Sequence, residues 1–172
     1  MFYSGFSLKN EAYLFKDFLK ESEYSIGGFS YGAIKALHHV EDALLNCRRV
    51  DSLQLFSPAF FQNKDEKFHR LQLMAYKKSS KKYMKQFILA CFSPYAPKIV
   101  EHIETNESEL KELLEFEWFA ERLKYISSKG VVIEVYLGEK DKIIDVEAAR
   151  EFFLKVTTVT YIKNANHFLQ LN

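Results

Sequence analysis

Tyr24-Ser25-Ile26-Gly27-Gly28-Phe29-Ser30-Tyr31-Gly32 runs from a short extended segment directly into a strong helical pattern. Ile34, Leu37, Val40, Leu44 and Leu45 recur at helical spacing, which predicts a helix from about Tyr31 to Cys47. The five residues at the junction, Gly28-Phe29-Ser30-Tyr31-Gly32, read G-x-S-x-G. A strand that turns at once into a helix leaves no room for side chains two positions either side of the central residue, so both flanks must be glycine or similarly small. The serine hydroxyl then stands at a helix N-terminus, where free N–H groups and the helix dipole favour a developing negative charge. A glycine-rich turn that happens to contain a serine is the competing reading. The strand before it and the helix after it argue for the functional one.

Outward from this junction, strands and helices alternate. Phe2 to Phe6 reads as a strand ending in a Gly-Phe-Ser turn. Ala12, Leu14, Phe15, Phe18 and Leu19 predict an amphipathic helix over 10–20, with Asn10 as its N-cap. Val50 to Phe56 reads as a buried strand that stops at Ser57-Pro58. Residues 59–121 break the alternation and read as helical throughout, with polar breaks near Ser93-Pro94 and Thr105-Asn106. Val131 to Leu137 is a β-branched strand closed by Gly138, Asp145 caps a helix reaching about Val156, and Thr157 to Ile162 is a last strand. Strands separated by helices pair in parallel through right-handed crossovers. The expected architecture is therefore an α/β core over 1–58 and 122–172, with a mostly parallel sheet of about five strands. A helical cap over 59–121 covers one end of it.

A serine needs a base to take its proton. Of the five histidines, His38 and His39 fall within the helix after the turn and point away from Ser30, and His69 and His102 fall in the insertion. His167 lies in the loop Asn164-Ala165-Asn166-His167 after the last strand, at the sheet end where sites of such folds gather. The acid that orients the base is expected just after the strand before it, in Gly138-Glu139-Lys140-Asp141-Lys142-Ile143-Ile144. Asp141 is preferred, Glu139 is its rival, and Asp145 is better explained as a cap. The N–H groups that receive an oxyanion are expected at Tyr31, after the serine, and at Phe6, with Gly5 allowing close approach. A plain β-to-α turn remains open for the Phe6 segment.

Hydrophobic residues make up 48% of the 172, enough for one domain with a packed core and too many for a disordered chain. Cys47 and Cys91 show no C-x-x-C spacing, so both are expected to be reduced and mostly buried, with no metal site and no cofactor indicated. No window holds the roughly 20 apolar residues of a membrane span, and Met1-Phe2-Tyr3-Ser4-Gly5 lacks the pattern of a leader, so a cytoplasmic protein is expected.

The four motifs SGFS, GFSYG, GEKDKI and NANHF, in this order, resemble the α/β-hydrolase family over nearly the whole chain. The resemblance implies a serine hydrolase with Ser30, Asp141 and His167 on the family's triad positions. Compared with typical members the chain is trimmed, lacking two strands before the first and a helix after the histidine. Small size, a Lys/Phe-rich composition and the early start make it most similar to compact pimeloyl-acyl-carrier-protein methyl ester esterases of biotin synthesis. That likeness implies hydrolysis of the methyl ester at the free end of a carrier-bound pimeloyl chain. A general short-chain carboxylesterase or thioesterase with the same three residues is the alternative, and a non-catalytic module on the same fold a third.

Charge within the insertion is strongly divided although the whole chain carries a formal net charge of only +1. Residues 62–98 carry nine basic side chains against two acids, and residues 101–121 carry eight acids and one lysine. Lys77, Lys81 and Lys85 are expected on one helix face, with Lys78 and Lys82 beside them and Arg70 nearby. Such a stripe either steers an acidic acyl carrier protein or is a solvated face paired with the acidic segment; both readings stay open. Nucleic acid is a weaker partner, since no binding motif accompanies the basic residues. The apolar residues Leu71, Leu73, Met74, Phe87, Ile88, Phe116, Trp118 and Phe119 either line an acyl channel or pack between helices.

Overall fold

The computed structural model describes all 172 residues. Its centre is a five-stranded sheet, all parallel, in the order β1-β3-β4-β6-β7. The strands are β1 (Phe2–Tyr3), β3 (Ser25–Phe29), β4 (Ser52–Phe56), β6 (Val132–Gly138) and β7 (Thr158–Ile162). Alternation along them sorts the side chains onto two faces. Leu53, Leu55, Ile133, Val135 and Leu137 join a core with α1 (Tyr31–Leu45), α5 (Ala120–Ser128) and α6 (Val146–Leu154). On the other face Phe29, Phe56 and Tyr136 pack with Phe15, Phe92, Phe168 and Leu169. Helices α2 (Glu66–Lys78), α3 (Ser80–Phe92) and α4 (Glu107–Glu115) lie between β4 and β6 in sequence, with α2 packed on both others.

Five sequence expectations change. The segment 10–20 is not an α-helix. Asn10 is left-handed at φ 63° and caps nothing, and Glu11–Phe15 is a short 3₁₀ turn. Its backbone is claimed from elsewhere: the Gln54 side chain accepts from Lys20 N–H at 2.8 Å and donates to Phe18 O at 2.9 Å. Apolar spacing alone does not register that capture.

The first strand ends at Tyr3, because Leu8 N–H closes a turn on Gly5 O at 3.1 Å. Residues 59–121 are not helical throughout: β5 (Glu101–His102) pairs antiparallel with β2 (Leu8–Lys9). Cys47 is exposed, lying beyond α1 at φ 53°, whereas Cys91 is buried.

The basic stripe is also broken. Ser79 is extended at φ −166°, and its hydroxyl accepts from Lys82 N–H at 3.3 Å as the N-cap of α3. Lys77 and Lys78 therefore end one helix while Lys81, Lys82 and Lys85 belong to the next. No helix of the structure is long and apolar enough to cross a membrane.

Candidate active site

Ser30 joins β3 to α1 at φ 52°, ψ −114°, a backbone conformation an L-residue adopts only under constraint. Three hydrogen bonds impose it: Ser30 N–H donates to Phe56 O at 2.9 Å, and Ser30 O accepts from Ala33 N–H at 3.1 Å and Ala59 N–H at 3.2 Å. The flanking glycines are needed for space. A Cβ on Gly28 would sit 2.1 Å from Gly32 O, and one on Gly32 would sit 2.0 Å from Tyr3 O. Tyr31 is the first residue of α1, so its N–H precedes the helix's own hydrogen bonds. Its side chain reaches into the insertion, where the hydroxyl donates to Glu112 Oε2 at 2.7 Å. Burial, with Glu112 close by, raises the Tyr31 hydroxyl's pKa far above the ordinary tyrosine range.

Asp141 and His167 meet 2.5 Å apart, Oδ2 to Nδ1, with both side chains fully buried. The other carboxylate oxygen of Asp141 accepts from Ile143 N–H at 2.7 Å and Ile144 N–H at 3.3 Å. A carboxylate that only accepts places the ring hydrogen on Nδ1 and leaves Nε2 with its lone pair. The rival acids do other work. Glu139 Oε2 accepts from Asn164 N–H at 2.8 Å, and Asp145 Oδ1 caps α6 by accepting from Ala148 N–H at 3.1 Å.

The acid and base loops are laced together. Glu139 N–H donates to Ile162 O at 3.0 Å and Lys140 N–H to Ala165 O at 2.7 Å. The approach is so close that a Cβ on Gly138 would meet Asn166 O at 2.3 Å.

Ser30 Oγ and His167 Nε2 are both buried and neither makes a hydrogen bond, including with each other. Unpaired polar atoms are rare in protein interiors, and these two belong to the same candidate set. Phe29, the residue before Ser30, packs its ring on the His167 imidazole with centroids 4.9 Å apart. An imidazole so oriented can take a hydroxyl proton once the two atoms close to hydrogen-bond range. The remaining histidines are engaged elsewhere or exposed. His39 Nδ1 contacts Tyr3 Oη at 2.9 Å, His69 Nε2 contacts Phe61 O at 3.3 Å, His38 packs on Phe116 and His102 is exposed.

Phe6, in the turn between β1 and β2, makes no backbone hydrogen bond through its N–H, and its ring packs edge-on against Tyr31. Three buried polar residues around these loops escaped the sequence reading. Glu11 is fully buried and its Oε1 accepts from Gly5 N–H at 2.7 Å. Asn166 is fully buried, and its side chain donates to Phe92 O at 2.8 Å and accepts from Gln170 N–H at 2.9 Å, pinning the histidine loop. Ser57, read only as a strand stop, is buried at φ 40° with its hydroxyl unpaired. Only Asn166, beside His167 in the NANHF motif, lay where local sequence could have drawn attention to it.

Of the apolar insertion residues, Phe87 lines a cavity of about 360 Å³ with Phe61, Phe68, Leu113, Leu114 and Ile143, next to the Asp141 loop. Trp118 is core, its Nε1–H donating to Ala59 O at 2.8 Å, and Leu71, Met74 and Phe119 are exposed.

Neither a family model nor a curated protein sequence matches the chain. Solved structures do. Naproxen esterase (carboxylesterase NP) from Bacillus subtilis superposes over 96% of this chain and 62% of its own, with a TM-score of 0.53 at 19% identity. An esterase from Exiguobacterium antarcticum superposes over 83% of this chain and 59% of its own, with a TM-score of 0.61 at 18% identity. The chain has the α/β-hydrolase fold. It spans about six-tenths of the length of those two proteins. BioG from Haemophilus influenzae is nearer in size, with 97% of this chain on 87% of that one, a TM-score of 0.57 and 11% identity. In this sheet β3 leads into the Ser30 turn, β6 into the Asp141 loop and β7 into the His167 loop.

Proposed function

We propose that this chain is a serine carboxylic-ester hydrolase. Ser30 Oγ attacks the ester carbonyl while His167 Nε2 takes its proton. Asp141 holds the imidazole and stabilises its charged form. Tyr31 N–H and Phe6 N–H receive the oxyanion. The protonated imidazole returns its hydrogen to the departing alcohol. Water, deprotonated by the same nitrogen, then releases the acid from Ser30. The observation that carries this reading is the buried Asp141–His167 pair, with Nε2 unpaired, beside a strained and unpaired Ser30. The esterase names of the neighbours support it.

The proposed substrate is the methyl ester of a pimeloyl chain carried on acyl carrier protein. The resemblance to compact pimeloyl-acyl-carrier-protein methyl ester esterases supports this, as does the nearly matching length of BioG from Haemophilus influenzae. So does the surface: Arg70, Lys78, Lys81, Lys82 and Lys85 are exposed and form no ion pair, while Lys77 is paired to Glu107 at 2.9 Å. Those free cations suit an acidic carrier, and the apolar 360 Å³ cavity beside Ile143 suits an acyl chain.

Ser30→Ala is expected to abolish fluorophosphonate labelling and cut turnover on the order of 10⁴-fold or more. Labelling that persists undiminished removes Ser30 from the role. Reversing the charge of Lys81, Lys82 and Lys85 together should raise KM for the carrier-bound methyl ester about tenfold or more and leave a free methyl ester unaffected. Equal effects on both substrates, or none, favour a general short-chain esterase or thioesterase.

A further inference from the structure

Glu11 is a fully buried carboxylate. Its one hydrogen bond runs from Gly5 N–H to Oε1 at 2.7 Å, and Oε2 has no partner. No basic side chain lies within ion-pairing distance of it. Burying a charged or strongly polar group with so few partners is costly. Leu14 and Phe15, which follow it in the same 3₁₀ turn, belong to an apolar cluster, so the Gly5 N–H bond is the polar contact that its side chain makes.

The bond falls at a significant place. Gly5 opens the turn that carries Phe6 N–H, closed by Leu8 N–H on Gly5 O at 3.1 Å with Ser7 left-handed at φ 58°. The same turn abuts the residue before Ser30: a Cβ on Gly5 would lie 2.8 Å from the Phe29 ring, which in turn packs on His167. Rotation of the Gly5 peptide would therefore re-aim the next N–H along the chain. We infer that Glu11 is a positioning residue that fixes the Gly5–Leu8 turn so that Phe6 N–H points where the oxyanion forms. This rests on the hydrolase reading above, and Glu11 itself touches neither substrate nor Ser30.

The test measures kcat, KM and thermal stability on a free methyl ester for three substitutions. Glu11→Leu removes the acceptor and the charge, Glu11→Asp keeps the charge but falls one methylene short, and Glu11→Gln keeps the acceptor without the charge. Losing one oxyanion donor outright costs about 10²–10³ in kcat, so mis-aiming it should cost about 10- to 100-fold in Glu11→Leu and Glu11→Asp, with KM nearly unchanged. Glu11→Gln should stay within about threefold of wild type because the hydrogen bond survives. Melting temperature should fall in Glu11→Leu, where Gly5 N–H is left buried without an acceptor, and hold in Glu11→Gln, so the loss of kcat at nearly unchanged KM is the readout that a merely structural residue would not give. Unchanged kcat in the Asp and Leu variants, or a failed rescue by Gln in folded protein, overturns the inference. If Glu11→Leu does not fold, the Asp and Gln pair decides it. Wild-type protein that fluorophosphonate leaves unlabelled at Ser30 overturns the hydrolase reading and this inference with it, whereas labelled protein indifferent to Glu11 overturns only the inference.

Discussion

His167 carries its ring hydrogen on the nitrogen facing Asp141, and the use of its other nitrogen follows from that. Asp141→Asn offers an amide N–H₂ in place of one carboxylate oxygen and favours the tautomer with the hydrogen on Nε2, which then has no lone pair for a serine proton. We expect kcat to fall on the order of 10³- to 10⁴-fold while the melting temperature changes little, since the amide oxygen still accepts from Ile143 and Ile144 N–H. Steady-state kinetics alongside a thermal melt check both halves. At this scale the sequence was most legible where chemistry demands a local backbone shape. Gly28 and Gly32 had to be small, and their missing Cβ atoms face backbone oxygens about 2 Å away. Glu11 was not legible, because its reason is a contact with Gly5 across an irregular turn, and no spacing rule connects the two.

Helix α6 and the loop that follows β7 separate two kinds of support. Asp145 caps α6 through Ala148 N–H and also accepts from Asn63 Nδ2 at 2.9 Å, so Asp145→Ala should cost about 1 kcal/mol of stability and leave kcat alone. Asn166→Ala removes one buried and one part-buried hydrogen bond from the histidine loop, so it should lower both the melting temperature and kcat. Denaturant titration with kinetics on the same samples distinguishes them; equal loss of kcat in both variants would refute the division. The sequence placed α1, α6 and the three central strands to within a few residues, because their apolar periodicity reports the face each one buries. It misread 10–20 because a 3₁₀ turn and an α-helix share that periodicity over so few residues. What decides between them there is Gln54, brought in from β4 to hold Phe18 O and Lys20 N–H.

Across the whole molecule, burial sets the response to alkali. It pushes the Tyr83 hydroxyl up to about 12, with Cys91 adding to the effect, and it raises the pKa of Tyr136 and of the Cys91 thiol in the same direction. The folded chain keeps these hydrogens where the unfolded chain gives them up, near pH 10 for tyrosine. Stability from Tyr83 is thus complete below about pH 10 and is lost as pH rises toward about 12. Urea midpoints should fall across that interval, and less steeply in Tyr83→Phe; an identical slope would refute the assignment. The parallel sheet was legible from strand–helix alternation. The small β2–β5 ribbon was not, since its two-residue strands lie about ninety positions apart in the chain. That ribbon has one further consequence. Ser7 Oγ donates to Ile103 O at 2.7 Å and Ile103 N–H donates to Ser7 O at 3.2 Å, so the insertion is stitched to the turn that contains Phe6. Lifting the 101–103 segment away from the core must therefore break both bonds or drag the Gly5–Leu8 turn along, so that the two stretches are tethered as a single unit.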